Sequence, residues 1–136
     1  MPGQRGGLTM GAAFLVFKDS KRMTEVTIYH NPRCSKSRET LRLLEDRGVT
    51  PQVVEYLKTP PSAALLAAIL AKLGKGPKDI VRKKEAAEVG IDVGGLSDQA
   101  LIAALAANPT AIERPIVVKG DKAALGRPPE NVLTIL

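Results

Sequence analysis

Two apolar periodicities alternate along the chain and predict the order of its elements. The run "EVTIYH" (25–30) is β-branched and aromatic, the composition of a buried strand, and Asn31-Pro32 ends it because proline cannot continue a ladder. From Ser35 to Arg47, Leu41 and Leu44 share one helical face with Thr40 beside them, and Gly48 supplies the stop. "PQVVEYL" (51–57) predicts a second strand. Two strands joined by a crossover of helical length form a parallel pair.

"KTPPS" then breaks the chain, and Ser62 caps "AALLAAILAKLG", where Leu65, Leu66, Ile69, Leu70 and Leu73 make a broad apolar face. "GPKDIVRKKEAAEVG" predicts a shorter helix, with Pro77 in its first turn and Gly90 past its end. Ser97 caps a third helix, "DQALIAALAANP", closed by Asn108-Pro109. "RPIVVKGDKAALGRP" predicts a hairpin, Ile116–Val118 against Ala123–Leu125, turning at Gly120-Asp121; "PENVLTIL" predicts a last short helix. The resulting class is α/β, with one mixed four-stranded sheet and a helical insert after the second strand. There is no internal repeat, and the connections are short, so residues 23–136 form a single domain.

Composition adds limits. The chain has 136 residues, 44% of them hydrophobic but only 3% aromatic, so its core must come from Ala, Leu, Ile and Val. Half of the net charge of +6 lies in residues 1–22, where Arg5, Lys18, Lys21 and Arg22 face only Asp19. No basic run is interleaved with aromatics, which argues against nucleic acid as partner. The apolar part of that segment, Leu8 to Phe17, is too short to span a bilayer, and "KDSKR" follows it in place of a small-residue cleavage pattern. Residues 1–22 are therefore expected to be a disordered extension or the product of a start assigned too far upstream of Met23. A single cysteine excludes an internal disulfide and a Cys-rich zinc site, and suits a reducing cytoplasm.

That cysteine, Cys34, sits in "NPRCSKSR", a polar stretch ahead of the first helix. Unpaired cysteines are usually small buried hydrophobes, but this is no core segment. A thiol at a helix N-terminus meets unsatisfied N–H groups and the positive end of the dipole, both of which favour thiolate. Arg33 and Arg38 add positive charge, and the hydroxyls of Ser35 and Ser37 can donate to the sulfur. Position 37 is serine, where a dithiol oxidoreductase would carry a second cysteine, so an adduct on Cys34 must be resolved by a thiol from outside. His30 leaves two readings open: an imidazolium that holds the thiolate, or a neutral ring at a strand end. One Cys and one His cannot close a metal shell.

Arg82, Arg114 and Arg127 are the second constellation; singly, each reads as a solvated surface arginine. Arg114 and Arg127 both precede proline at the edges of the predicted hairpin, where a cis bond can fix a loop against the sheet end. A guanidinium fork also suits a tetrahedral oxyanion better than a lysine does.

The run "TIYHNPRCSKSRETLRLLEDRG", followed by "VVEYLKTPP", "DIVRKKE", "ERPIVV" and "LGRPPENVLTIL", resembles the glutaredoxin-coupled arsenate reductase (ArsC) family in register from Val26 to Leu136. The resemblance implies a thioredoxin-like fold with a cis proline at Pro115. It implies that Cys34 is a nucleophile forming a thioarsenate adduct, with Arg82, Arg114 and Arg127 as the oxyanion-binding set and His30, Ser37 and Arg38 near the thiolate. It further implies arsenate as substrate, glutathione as co-substrate, glutaredoxin as partner, no tightly bound cofactor, and no membrane association. One position departs from the family pattern: Arg33 is large and charged where the better-known reductases carry a small residue, which resembles an arsenate reductase-like branch. A second function class, a redox-responsive regulator of the same fold without arsenate turnover, is disfavoured by the missing second cysteine and the retained arginines.

Overall fold

In the computed structural model, which describes residues 25–136, the expected sheet is present with strand order β2-β1-β3-β4. β1 (Val26–His30) pairs in parallel with β2 (Gln52–Glu55) and antiparallel with β3 (Ile116–Lys119). β3 continues antiparallel into β4 (Lys122–Leu125) through the two-residue Gly120-Asp121 turn, where Gly120 takes a φ of 60° that L side chains rarely adopt. The expectations for residues 1–22 lie outside the described residues.

Both faces of the sheet are covered, as its parallel pair requires. Val26 and Ile28 of β1 join Val117 of β3 and Ala124 of β4 on one face, packed against Leu44 of α1 (Ser35–Asp46) and Val132 near the C-terminus. On the other face Ile116 packs with Leu66, Ile69 and Leu70 of α2 (Ala63–Leu73) and with Leu101 and Leu105 of α4 (Asp98–Ala107). Ser62 and Ser97 cap α2 and α4 as expected, accepting from the amides of Leu65 and Ala100 at 3.1 Å each. Among the described residues no helix is long and apolar enough to cross a membrane.

Three stretches differ from the sequence expectation. The helix expected from Pro77 to just before Gly90 is split into a 3-10 turn at Pro77–Ile80 and a short α3 at Lys83–Glu88, with Val81 and Arg82 extended between them. Val81 is buried and forms an isolated antiparallel bridge with Ile112, while the Arg82 amide donates to Ala111 at 2.8 Å and the Glu113 amide to Ile80. Pairing of two β-branched side chains distant in sequence thus overrides local helix propensity. The last helix is a run of 3-10 turns over Pro129–Ile135. β2 stops at Glu55, one residue before Tyr56, so the aromatic leaves the sheet instead of continuing it.

The turn after β4 closes against the centre of the molecule. The Gly126 amide donates to Pro115 at 3.0 Å, and both the Arg114-Pro115 and Arg127-Pro128 bonds are cis. A Cβ at Gly126 would lie 2.5 Å from Thr40 Oγ1 and 2.7 Å from Pro115 Cγ, whereas one at Gly94 meets nothing within 4 Å. Gly126→Ala is therefore expected to destabilise by about 1–3 kcal/mol through overpacking. Gly94→Ala should stay within about 0.5 kcal/mol. Urea unfolding of the two variants checks the contrast.

Candidate active site

The parallel strands β1 and β2 end side by side, with His30 paired to Glu55, and the chain segments leaving them build one wall of the site. The turn from Asn31 to Cys34 is tied by its own polar groups. Cys34 N donates to Asn31 O at 3.0 Å, Arg33 N to Asn31 Oδ1 at 3.0 Å, and Asn31 N to Ser37 Oγ at 3.0 Å. Asn31, Cys34, Ser37 and Thr40 are all buried at a spacing of three, a polar stripe running from the turn onto α1. That stripe sets Cys34 at the N-cap of α1 with extended backbone, its sulfur at the free amides of the first helical turn.

Cys34 is 9% exposed, and burial alone would raise its thiol. The Ser37 amide, the hydrogen bond and charge of Arg114, and the Lys36 amide outweigh burial and hold the thiol below its ordinary value. Arg127 adds a direct contact, Nη2 donating to Sγ at 3.7 Å. The helix terminus and two of the three expected arginines thus converge on the sulfur.

The other expected residues act differently from the simplest reading of the sequence. His30 Nδ1 shares a hydrogen bond with Ser37 Oγ at 2.7 Å. Burial lowers the imidazole, Arg38 lowers it further, and Glu55 opposes only in part, so the ring is neutral at neutral pH. Of the two readings of His30, the structure supports the neutral ring, bracing the turn through Ser37. Ser37 itself reaches the sulfur by its amide, because its hydroxyl is taken by His30 and Asn31. Arg38 donates from Nη1 to Pro32 O at 2.9 Å, so its guanidinium ties down the turn. Arg33 is exposed.

Arg82 is brought to the site by the Val81–Ile112 bridge, but it does not stand free. Nη1 donates to Glu113 at 3.0 Å and Nη2 to Glu85 at 3.3 Å. Burial opposes its charge, yet these two carboxylates outweigh burial and hold the guanidinium above its ordinary value. Glu113 Oε1 also lies 2.9 Å from Arg127 Nε and accepts from the Arg114 amide at 3.3 Å, so one oxygen meets groups from all three arginine residues. Arg127 Nε donates in addition to Arg114 O at 2.8 Å. The side-chain Nε atoms of Arg82 and Arg114 are buried with no hydrogen-bond partner among the described residues. Buried donors of this kind are costly unless some group accepts from them. Sequence reasoning did not single out Glu85 or Glu113. Both were visible as acidic neighbours, one three residues after Arg82 and one directly before Arg114, but ion pairing between them was not.

A thioredoxin-like chain with its thiol at a helix N-terminus beside guanidinium groups defines a class of thiol-bearing α/β proteins. The ArsC family pattern matches residues 29–135, and the chain belongs to that family. It is 52% identical over 115 residues to a protein of Escherichia coli (strain K12) named "Uncharacterized protein YfgD", covering 82% of this chain and 97% of that one. It is 47% identical to an arsenate reductase of Neisseria meningitidis serogroup A, covering 84% of this chain and all of the relative. Among solved structures, an arsenate reductase from Vibrio cholerae matches with a TM-score of 0.78 at 51% identity, over 83% of this chain and 98% of that one. Among the described residues no cluster of His, Cys, Asp or Glu could hold a metal ion.

The electrostatics make a signed prediction. With the thiol held low, the rate of Cys34 alkylation should rise with pH with a midpoint below ~8.5, the free-cysteine value. Arg114→Gln removes a lowering group and should move that midpoint up. Glu113→Gln removes a negative charge while keeping an acceptor, and should move it down. A shared midpoint for all three proteins would contradict the arrangement.

Proposed function

We propose that the protein reduces arsenate to arsenite, with Cys34 as nucleophile, Arg114 and Arg127 as the principal oxyanion ligands, and Arg82 completing the set. The observation that carries the reading is the thiol held low at the start of α1 with a guanidinium 3.7 Å from its sulfur. The relatives named arsenate reductases support the choice of arsenic over other centres.

In this reading the thiolate attacks arsenic(V), and one arsenate oxygen leaves as water to give a Cys34–S–As bond. The guanidinium groups neutralise the oxygens as the adduct forms. A glutathione thiol displaces a second oxygen as water. A glutaredoxin thiol then attacks the glutathione sulfur, forming a mixed disulfide, and the two electrons pass to arsenic. Water hydrolyses the remaining Cys34–S–As(III) bond, which returns the thiol and releases arsenite. One cysteine suffices because both reducing thiols come from outside.

The test is arsenite release by the purified protein supplied with arsenate, glutathione and glutaredoxin. Cys34→Ser should lose at least ~10³-fold in rate, and Arg127→Lys, which keeps charge but loses the fork, about tenfold in kcat/KM. No arsenite from the unaltered protein would overturn arsenate as substrate and favour the regulator.

A further inference from the structure

Tyr56 leaves the sheet opposite Asn31, since His30 and Glu55 are the last paired residues of the two parallel strands. Its ring is 2% exposed and packs in the cluster that contains Leu66, Ile69 and Ile112. Its hydroxyl is also buried, and among the described residues nothing meets full hydrogen-bond geometry with it, although the Arg114 side chain lies close enough to act on it as a donor. A stranded phenol of this kind costs stability, because its water contacts are lost and not fully replaced. Phenylalanine would fill the same space without that cost.

The surroundings show where the hydroxyl would find an acceptor. Tyr56 lines a cavity of about 190 Å³ with Asn31, Leu57, Glu85, Thr110 and Arg114. At about 30 Å³ per water this is room for several solvent-sized groups. The charges acting on the phenol are those of Arg114, Cys34 and Arg82, the groups of the candidate site. The two other buried donors left without partners belong to two of those same residues, Arg82 Nε and Arg114 Nε. These three buried groups lie in or next to the candidate site, and a guest that accepts hydrogen bonds would satisfy them.

We propose that the Tyr56 hydroxyl is an anion-binding donor, giving a hydrogen bond to one oxygen of a tetrahedral oxyanion seated between Arg114 and Cys34. This rests on the reading of the site as an oxyanion seat and names a neutral ligand within it. Burial pushes the phenol up to about 12, so it remains a donor across the pH range in which the thiolate works. A neutral donor adds directional binding without adding charge. It can therefore strengthen the seat without further lowering the thiol, which another cation would do.

The test is Tyr56→Phe, with two readouts that the proposal moves in opposite directions. Thermal unfolding should show a melting temperature unchanged or higher. The concentration of arsenate without glutathione, or of sulfate as a non-reacting anion, that protects Cys34 from alkylation should rise about five- to tenfold. An unchanged protecting concentration overturns the proposal and leaves Tyr56 as a core residue with a stranded hydroxyl. A lower melting temperature also overturns it, since the hydroxyl would then have a partner within the fold. If neither anion protects Cys34 in the unaltered protein, the oxyanion seat itself fails, a result distinct from a defect confined to the variant.

Discussion

Guanidinium groups repel one another, and those of Arg82 and Arg127 stand close together because a carboxylate sits between them. Glu113 is that group. Its Oε1 meets Arg82 and Arg127 side chains and the Arg114 amide, each from a different part of the chain. At separations near 3 Å the attraction is strong even where solvent weakens it, and it is reinforced by hydrogen bonding. The backbone then makes the arrangement rigid. The Glu113 amide bonds to Ile80 and the Arg82 amide to Ala111, so the segment bearing Arg82 and the one bearing Arg114 are a single two-stranded patch. Arg127 Nε fastens the third segment to the Arg114 carbonyl. The thiolate side of the site needs no such clamp, because α1 carries its own positive end.

This division explains which parts were legible in the sequence. The α1 side is local: the strand "EVTIYH", the break at Asn31-Pro32 and the cysteine at a helix start all lie within ten residues, and periodicity and capping rules read them directly. The fold was legible for the same reason, since β-α-β and a Gly-Asp hairpin are short-range signals. The arginine side is not local. Arg82 was placed inside a helix, and what moved it into an extended residue was Val81 pairing with Ile112, thirty-one positions away. The partners of the thiolate were similarly hidden in detail. Ser37 was expected to donate from its hydroxyl, but that hydroxyl is engaged with His30 and Asn31, and the amide acts on the sulfur instead. Tyr56 read as a strand residue because its neighbours Val53 and Val54 are strand formers, and only the sheet's end shows that it does not pair.

The carboxylates also change what kind of anion site this is. Three arginines alone suggest a strongly positive pocket, but Glu85 and Glu113 neutralise much of that charge, and Cys34, ionised as proposed, would cancel most of the remainder. Taken together, the charged groups nearly balance. In the proposed function, affinity for an oxyanion then comes from directed, desolvated donors rather than from net field, and the Nε atoms of Arg82 and Arg114, without a partner among the described residues, are donors of that kind. Such a site selects by geometry: an anion whose oxygens do not meet these donors gains little from entering. Near neutrality serves the thiolate as well. A highly positive pocket would stabilise the anionic sulfur so far that its nucleophilicity fell, because basicity and attacking power decline together. A sulfur held moderately low, facing fixed donors in a seat of little net charge, keeps both the ionised form and the driving force for attack.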